Sequence, residues 1–348
     1  MKKCILLLLA LVMALSLCAC AEDSTSTTKP STNPTTSGTN PSTPSQPEEG
    51  GFFVVTEIKN RIIDDEDSFV TLKLTYDDAY NVTGITVYEN NQLITITTYD
   101  KTMDKPLLEQ YHDETGKVYG YTEWVYGEDG NVLTERTYTH GEQLVEAIYT
   151  YDDHGNLKTR YFDNGEEDWT ETYENLYQDG KLTQTNLYIR NMLQTSWRYD
   201  SEGNLILDTY YYDDGSTSST KYAYENGKLV LTVDLHDDEE TSREEYTYNA
   251  DGNILSRVIK VGDHESYREA YGYNSAGMLT EIKYTNDDGY YSSTVLTYGE
   301  DGSPKTLLAY DKDELELETT FTSQKANISE EQAKEYVFLY AELIEAWT

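Results

Sequence analysis

The chain has 348 residues, and its 64 acidic and 26 basic residues give a formal net charge of −38. A charge this negative repels polyphosphate, which excludes nucleic acid as a partner and disfavours charge-driven docking on anionic lipid. The length allows one or two domains with a substantial core, and 33 tyrosines greatly outnumber 6 phenylalanines.

The N-terminal residues have the order expected of an exported protein. Two lysines precede an apolar run of about thirteen residues, too short to span a bilayer as a mature helix. The run ends in Leu17-Cys18-Ala19-Cys20, which resembles the lipobox of bacterial lipoproteins. The resemblance implies removal of signal peptide 1–19 and a palmitate-type lipid anchor on Cys20. The alternative is an ordinary secretory signal cut near Ala19 or Ala21. The expected location is extracytoplasmic, on the cell membrane at the cell surface.

Residues 20–50 follow as the predicted lipid-anchor and linker segment. They contain five of the seven prolines, and Ser and Thr predominate. Such a composition buries too little apolar surface to offset its ordering entropy, so it predicts a disordered tether. All three cysteines lie within the first 20 residues. The rest of the chain can therefore form no disulfide, thiolate nucleophile or cysteine metal site.

Residues 76–310 repeat a unit of about 25 residues, in which a tyrosine precedes an Asp-rich turn, a glycine and an aliphatic residue. Asp and Asn initiate the turn, and Gly supplies the positive φ that the returning strand needs. A second turn lies midway, as in Asp163-Asn164-Gly165, so each unit predicts two antiparallel strands. The array should contain roughly 18–20 strands. The lead tyrosines are Tyr76, Tyr99, Tyr126, Tyr151, Tyr177, Tyr199, Tyr224, Tyr248, Tyr273 and Tyr298.

A second aromatic residue stands two positions before many lead tyrosines, and positions i and i−2 of a strand share a face. The pattern predicts a ladder of rings on one face, with tyrosine hydroxyls reaching water at the sheet margin. The ladder is either the core of a curled sheet or an open binding face. Trp124, Trp169 and Trp197 are the candidate ligand-facing aromatics of the second interpretation.

The units Tyr151-Asp-Asp-His-Gly155-Asn-Leu157 and Tyr199-Asp-Ser-Glu-Gly203-Asn-Leu205 resemble the YD repeats of the RHS family of bacterial surface and secreted proteins. The family often has Arg after the glycine, where this chain has Asn or Lys. The resemblance implies a β-hairpin repeat architecture and a role in surface interaction. Long arrays of the family can close into a shell around a toxin. About ten units are too few to assume closure, so we expect an elongated or curled antiparallel sheet.

The ends of the array complete the predicted all-β domain, residues 51–327. Strands outside the motif are expected in 52–74 and 314–321, where apolar residues alternate. A capping α-helix is predicted over 328–348, because Ser329 and Gln332 form a capping box. We expect this helix to cover the last strands of the array. The alternative is a helix whose apolar stripe binds a partner.

No residue pattern in the chain points to catalysis, a metal or a cofactor. The five histidines have no metal-ligand spacing, and the acidic clusters lack the alternating ligand positions of a calcium loop. Carboxylates are so abundant that a pair at glycosidase separation carries no information. The chain is therefore predicted not to be an enzyme.

The functional hypothesis is a membrane-anchored bacterial surface lipoprotein that displays a non-catalytic binding or adhesion module for an unknown protein or glycan. A second hypothesis is a binder of carbohydrate or cell-wall glycan, or a glycan hydrolase; a groove with unpacked Trp124, Trp169 or Trp197 would support it. A third is a carrier or folding factor, which needs a large apolar cavity.

Overall fold

The computed structural model describes residues 52–63, 68–100, 105–326, 328, 329, 340 and 343. The predicted signal peptide, Cys20 and the linker lie outside these residues. The described chain is all-β and contains 22 strands. Their bounds are β1 Phe52–Ile62, β2 Phe69–Tyr76, β3 Val82–Glu89, β4 Gln92–Tyr99, β5 Pro106–His112, β6 Val118–Tyr126, β7 Val132–Thr139, β8 Glu142–Tyr151, β9 Leu157–Asp163, β10 Asp168–Gln178, β11 Lys181–Ile189, β12 Met192–Tyr199, β13 Leu205–Tyr211, β14 Thr217–Glu225, β15 Lys228–His236, β16 Glu239–Tyr248, β17 Ile254–Val261, β18 His264–Tyr273, β19 Leu279–Asn286, β20 Tyr291–Tyr298, β21 Pro304–Asp311 and β22 Glu314–Ala326.

The turns use the local chemistry that the repeat predicts. In the β8–β9 turn, Asp152 Oδ1 accepts hydrogen bonds from the backbone N–H groups of His154 (2.9 Å) and Asn156 (3.0 Å). Gly155 of the same turn has φ 83°, a conformation that costs glycine little. The predicted midway turn also forms, since Gly165 has φ 81° between β9 and β10. Each full unit therefore holds two strands and two turns.

The all-β antiparallel class is confirmed, but the sheet closes on itself instead of forming the expected elongated or curled array. Every strand pairs antiparallel with the next one, and β22 also pairs with β1, from Phe52↔Ala326 to Ile62↔Leu317. The result is a closed 22-stranded antiparallel barrel. Closure is favoured because the two end strands satisfy each other's edge N–H and C=O groups, which would otherwise be unpaired.

The ten lead tyrosines lie on one face of this closed sheet, named here the inner face. The cross-strand register carries this face around the ring, for example through the pairs Tyr222↔Thr232 and Thr232↔Glu244. The fully buried Ile58 and Leu72 lie on it at the closing seam. Two apolar clusters fill the inner face near the seam, one on β1–β3 and one on β17–β22.

Most lead tyrosine hydroxyls bind backbone carbonyls, and that of Tyr177 binds the Asp152 carboxylate, which corrects the expectation that they reach solvent at the sheet margin. Seven of them donate to a carbonyl of the preceding unit, about nineteen residues back in the array. Phenylalanine could not form this bond, which explains the excess of tyrosine. The pairs are Tyr76–Val55 (2.6 Å), Tyr126–Pro106 (2.9 Å), Tyr151–Val132 (2.9 Å), Tyr224–Leu205 (3.1 Å), Tyr248–Leu229 (2.7 Å), Tyr273–Ile254 (2.8 Å) and Tyr298–Leu279 (2.8 Å).

Replacing Tyr248 by Phe is expected to lower the free energy of unfolding by about 1 kcal/mol, because the Leu229 carbonyl loses its hydroxyl donor. Urea unfolding measures the change. Tyr161→Phe is the control, since that half-buried tyrosine makes no side-chain hydrogen bond within the described chain. Equal losses in the two variants would contradict a role for the bridging hydroxyl.

The predicted C-terminal helix, 328–348, lies mostly outside the described residues and is not confirmed as an element. The described Tyr340 and Leu343 pack on the seam cluster. Tyr340 is buried, and its hydroxyl accepts a hydrogen bond from the backbone N–H of Val55 (2.9 Å). Tyr340 and Leu343 therefore cover the inner-face cluster near β1, where β1 and β22 are paired with each other and leave no free edge.

Candidate binding groove at the far rim

The closed sheet has two rims with different turns. The rim that carries the turns after the lead tyrosines, the tyrosine rim, also carries the start of β1 at Phe52 and the end of β22 at Ala326. The opposite rim, the far rim, carries the midway turns. Strands of 8–10 residues such as β7 and β8 separate the two rims by roughly 20–30 Å.

The three candidate tryptophans lie on the inner face, half-buried on β6, β10 and β12. Trp169 packs against Phe162, with ring centroids 4.4 Å apart, and its Nε1 donates to Glu171 (3.5 Å). Trp197 lies between Thr185 and Asp208 on the neighbouring strands. Trp124 and Trp197 are six strands apart in the ring, so the structure does not gather the three residues into one groove.

Beside the β17–β22 apolar cluster, the inner face carries charged groups that were not predicted from the sequence. Arg257 Nη2 lies 2.7 Å from Glu244 Oε1, and its Nη1 lies 3.5 Å from Glu269 Oε1. The hydroxyls of Tyr246 (2.5 Å) and Tyr271 (2.6 Å) donate to Glu244 and Glu269 respectively. These five residues form the Arg257 network, in which both carboxylates are held by cationic or hydroxyl donors.

The ionisation of this network follows from its contacts. Burial alone would raise the pKa of Glu244, but hydrogen bonds from Arg257 and Tyr246 outweigh it and hold that pKa below its usual value. Burial, together with the charge of Glu269, raises the pKa of Tyr271. The Glu244 carboxylate therefore stays ionised and the Tyr271 hydroxyl stays protonated at neutral pH, which suits a structural network.

A groove of about 380 Å³ opens at the far rim, between the β5–β6 and β7–β8 hairpins. This far-rim groove is a separate site from the inner-face network. It combines tyrosine rings with both a carboxylate and an ammonium group. Its lining residues are Asp113, Lys117, Val118, Tyr119, Gly120, Tyr121, Tyr138, His140 and Gly141.

Tyrosine rings provide the apolar surface of the far-rim groove. Tyr121 and Tyr138 are directly paired across β6 and β7, and their rings stack with centroids 4.7 Å apart at 22°. Tyr119 is 41% exposed and lies 6.1 Å from the His140 ring. A register shift between Tyr111 and His112 leaves Tyr119 without a partner in the ladder, which frees its ring toward the rim.

Two glycines and one backbone bond shape the groove. A Cβ atom at Gly120 would lie 2.8 Å from the Tyr138 carbonyl oxygen, so only glycine allows the strands to approach this closely. His140 and Gly141 have φ of 52° and 87° in the tight β7–β8 turn. The backbone N–H of His140 donates to the Tyr119 carbonyl (2.7 Å), which joins the two hairpins.

The polar groups of the groove are one carboxylate and one ammonium group. Asp113 Oδ1 accepts from Thr115 N–H (2.9 Å), the Thr115 hydroxyl (2.6 Å) and Lys117 N–H (3.0 Å). The hydroxyl and backbone bonds hold the pKa of Asp113 below its usual value. Asp113 Oδ2 accepts no hydrogen bond, and Lys117 Nζ forms no salt bridge, within the described residues. Both groups can therefore bind a ligand, and they lie close enough for the Lys117 charge to contribute to the lowered pKa of Asp113.

A second cavity of about 400 Å³ lies at the tyrosine rim beside the β12–β13 turn. Lys181 extends across it, and its Nζ donates to the Ser201 carbonyl (2.5 Å). Tyr199 is the one aromatic residue of its lining. The Lys181 contact joins neighbouring turns, so this cavity is a weaker candidate than the far-rim groove.

The far-rim groove was not predicted from the sequence, because the predicted binding residues were tryptophans and the repeated aromatic positions. The available signal was local: the run Tyr119-Gly120-Tyr121 departs from the repeat, and His140-Gly141 is a two-residue turn. Neither signal reveals that Tyr121 meets Tyr138 across the ladder. Within the described residues, no cluster of three or more His, Asp or Glu side chains could hold a metal ion.

Comparison with known proteins gives only weak matches. No family model matches the chain, and no curated protein does. A porin-like protein from Bacteroides uniformis is 12% identical, with a TM-score of 0.31 over 78% of this chain and 98% of that chain. The Photorhabdus luminescens Tc holotoxin pore is 13% identical, with a TM-score of 0.23 over 81% of this chain and 21% of that chain. A porin-like protein from Bacteroides vulgatus is 14% identical, with a TM-score of 0.19 over 77% of this chain and 98% of that chain.

Similarity at this level identifies neither a family nor a function, so the description of the fold rests on the strand pairing itself. No helix within the described residues has the length and apolar character needed to cross a membrane.

Proposed function

We propose that the chain is a non-catalytic binding module on the bacterial cell surface, tethered by a lipid on Cys20. The observation that carries the proposal is the polarity of the barrel. The chain enters β1 at the tyrosine rim, while the far-rim groove opens at the other end. A tether on the N-terminal side of Phe52 therefore attaches at the rim opposite the groove and leaves the groove unobstructed.

The non-catalytic part of the proposal rests on how the charged side chains are used. On the inner face, Arg257 and Arg160 each contact a glutamate, and tyrosine hydroxyls donate to the same carboxylates. In the far-rim groove, Asp113 is ionised and lies on an exposed turn, where no burial prepares it as a general acid. These arrangements favour structure and recognition over chemistry.

The repeat resemblance supports the same proposal from the sequence side. The YD-type units build hairpins whose lead tyrosines bridge successive units, giving a rigid barrel. Rigid scaffolds with polar rim turns are suited to present binding residues. Membership of the YD-repeat family, the lipid anchor and adhesion remain parts of the proposal.

Replacing Cys20 by Ala is expected to move the protein from the membrane fraction to the soluble extracytoplasmic fraction, because the sulfur that carries the lipid is lost. Immunoblots of fractionated cells measure the shift, and protease added to intact cells tests display of the wild type. Cys18→Ala is the matched control, since it keeps the acceptor cysteine. Continued membrane association of the Cys20 variant, or full protection of the wild type from protease, would overturn the proposal.

A further inference from the structure

We propose that the far-rim groove binds an uncharged carbohydrate, with one sugar ring seated on the Tyr119 and Tyr121 rings. This inference rests on the proposed binding function and names its ligand class. The groove volume of about 380 Å³ falls within the range of small-molecule sites. Three features of the site lead to a sugar: its aromatic surface, its mixed hydrogen-bonding groups and its balanced charge.

The aromatic surface suits a ring that is apolar on its faces and polar at its edge. Tyr121 stacks on Tyr138, which fixes the orientation of its ring. Tyr119 lines the same groove and is 41% exposed, although a tyrosine ring gains from burial. The C–H face of a pyranose can cover Tyr119 while its hydroxyls remain at the edge of the groove.

The free polar groups match hydroxyls rather than a single ion. Asp113 Oδ2 is an acceptor without a donor, and Lys117 Nζ is a donor without an acceptor within the described residues. A sugar hydroxyl both donates and accepts, so adjacent hydroxyls can bind the carboxylate and the ammonium group together. His140 lines the same groove and adds a ring nitrogen.

The charge balance selects an uncharged ligand. An anionic glycan meets Asp113 in a chain whose net charge is −38, so approach is disfavoured. A cationic ligand is attracted over long range, but in the groove it meets the ammonium group of Lys117, which already offsets the charge of Asp113. A neutral sugar ring is repelled by neither Asp113 nor Lys117. A short aromatic peptide is the main competing occupant, and binding assays separate the two.

Isothermal titration of the full-length protein in mild detergent tests the proposal. The probes are neutral hexamers of β-linked glucose and of N-acetylglucosamine, with a galacturonate hexamer as the anionic comparison and Gly-Tyr-Gly as the peptide. At least one neutral hexamer is expected to bind with a Kd on the order of 0.1–1 mM, as suits one open groove. Tyr119→Ala should weaken binding by about tenfold or more, and Tyr119→Phe should restore it to within about threefold.

Matched variants keep the result interpretable. Tyr210→Ala is the control, because this tyrosine is 43% exposed on the same rim but away from the groove, so its loss should leave the affinity unchanged. Lys117→Met removes the free donor from an exposed position and should also weaken binding. Far-ultraviolet circular dichroism confirms that each variant is folded.

Three outcomes would overturn the carbohydrate proposal: no heat from either neutral hexamer, equal losses for Tyr119→Ala and Tyr210→Ala, or tighter binding of the galacturonate hexamer or the peptide. Each leaves the fractionation result for Cys20→Ala unaffected. Failure of the ligand assignment is therefore distinguishable from failure of the proposed tethered binding module.

Discussion

Replacing Arg257 by Met is expected to lower the free energy of unfolding by about 3–5 kcal/mol at neutral pH. The arginine side chain is 12% exposed and contacts Glu244 and Glu269, whose side chains are 18% and 3% exposed. Methionine fills much of the same volume but leaves both carboxylates buried without their cation. The expected loss is therefore the desolvation cost of unpaired charge, in addition to a lost contact.

The pH dependence of this loss has a definite sign. The folded-state pKa of Glu244 is depressed, so its contribution to wild-type stability is present above the unfolded pKa of about 4.3. That contribution is lost as pH falls through the folded-state pKa. In the variant, protonation removes the unpaired charge, so acid favours the variant relative to the wild type. The difference between the two should shrink as pH falls, beginning above about pH 4.3, because a buried carboxylate without its cation protonates above its ordinary pKa.

Urea unfolding at pH 7 and at acidic pH measures both effects. Arg243→Met is the matched control, because Arg243 pairs with Glu240 at 2.7 Å but is 40% exposed on the neighbouring strand β16. An exposed pair contributes about 0–1 kcal/mol, so this variant should be nearly as stable as the wild type. If Arg257→Met costs no more than Arg243→Met, the network is not a buried structural element.

The barrel is also expected to unfold cooperatively in alkali between about pH 10 and 12, because many of its tyrosines resist ionisation in the folded state. Burial, with the hydrogen bond to Glu171, raises the pKa of Tyr173 to about 12. The pKa values of Tyr246, Tyr267, Tyr271 and Tyr273 are raised further, in each case mainly by burial. These residues line the inner face of β10, β16 and β18.

Because the folded-state pKa of these tyrosines is raised, their contribution to stability is fully present below the unfolded tyrosine pKa of about 10. That contribution is lost as pH rises toward the folded-state pKa. Each tyrosine that ionises only on unfolding then costs about 1.4 kcal/mol per pH unit. Four such residues together cost on the order of 5 kcal/mol per unit. A domain whose free energy of unfolding is about 5–15 kcal/mol therefore unfolds within a few pH units.

Absorbance of tyrosinate and circular dichroism, followed together during alkaline titration, check this prediction. The tyrosines of the inner face should ionise in the same narrow pH range in which the β-sheet circular dichroism signal is lost. The urea-unfolded protein serves as the reference, because its phenols ionise near their ordinary pKa of about 10. Full ionisation near pH 10 with an intact β signal would show that the inner face is open to solvent.

Local features of the fold could be predicted from the sequence because their causes are local. The Asp152 carboxylate bonds its own turn, and Gly155 supplies the positive φ beside it. The spacing of such turns predicted antiparallel hairpins with two strands in each unit. The same period placed the lead tyrosines on a single face, because side-chain direction alternates along a strand.

Closure could not be predicted in the same way. The seam joins Phe52 to Ala326 and Asn60 to Thr319, residues in strands that lack the repeat motif. Whether a sheet closes depends on the twist and stagger accumulated over all 22 strands, which no single unit encodes. The bridging partner of Tyr248 also lies in another unit, and this is why its hydroxyl was expected in water rather than on Leu229.

The candidate site also has one part that could be predicted from the sequence and one part that only the folded structure reveals. Exposed turn residues such as Asp113 and Lys117 are recognisable in sequence as polar turn chemistry. The register shift that frees Tyr119 and the pairing of Tyr121 with Tyr138 arise from strands brought together by folding. The predicted ligand-facing tryptophans lie on the inner face, whereas the exposed aromatic surface of the groove consists of tyrosines at the rim.

The amino-acid sequence alone therefore determined the all-β class, the hairpin repeat and the strongly acidic character, since short-range turn chemistry, strand alternation and charge are properties of neighbouring residues. Only the tertiary structure decided that the array closes, that the lead tyrosine hydroxyls bridge successive units, and that a groove opens at the rim opposite the N-terminal side. These features depend on contacts between residues far apart in the chain, whose geometry is set by the accumulated register of the whole sheet.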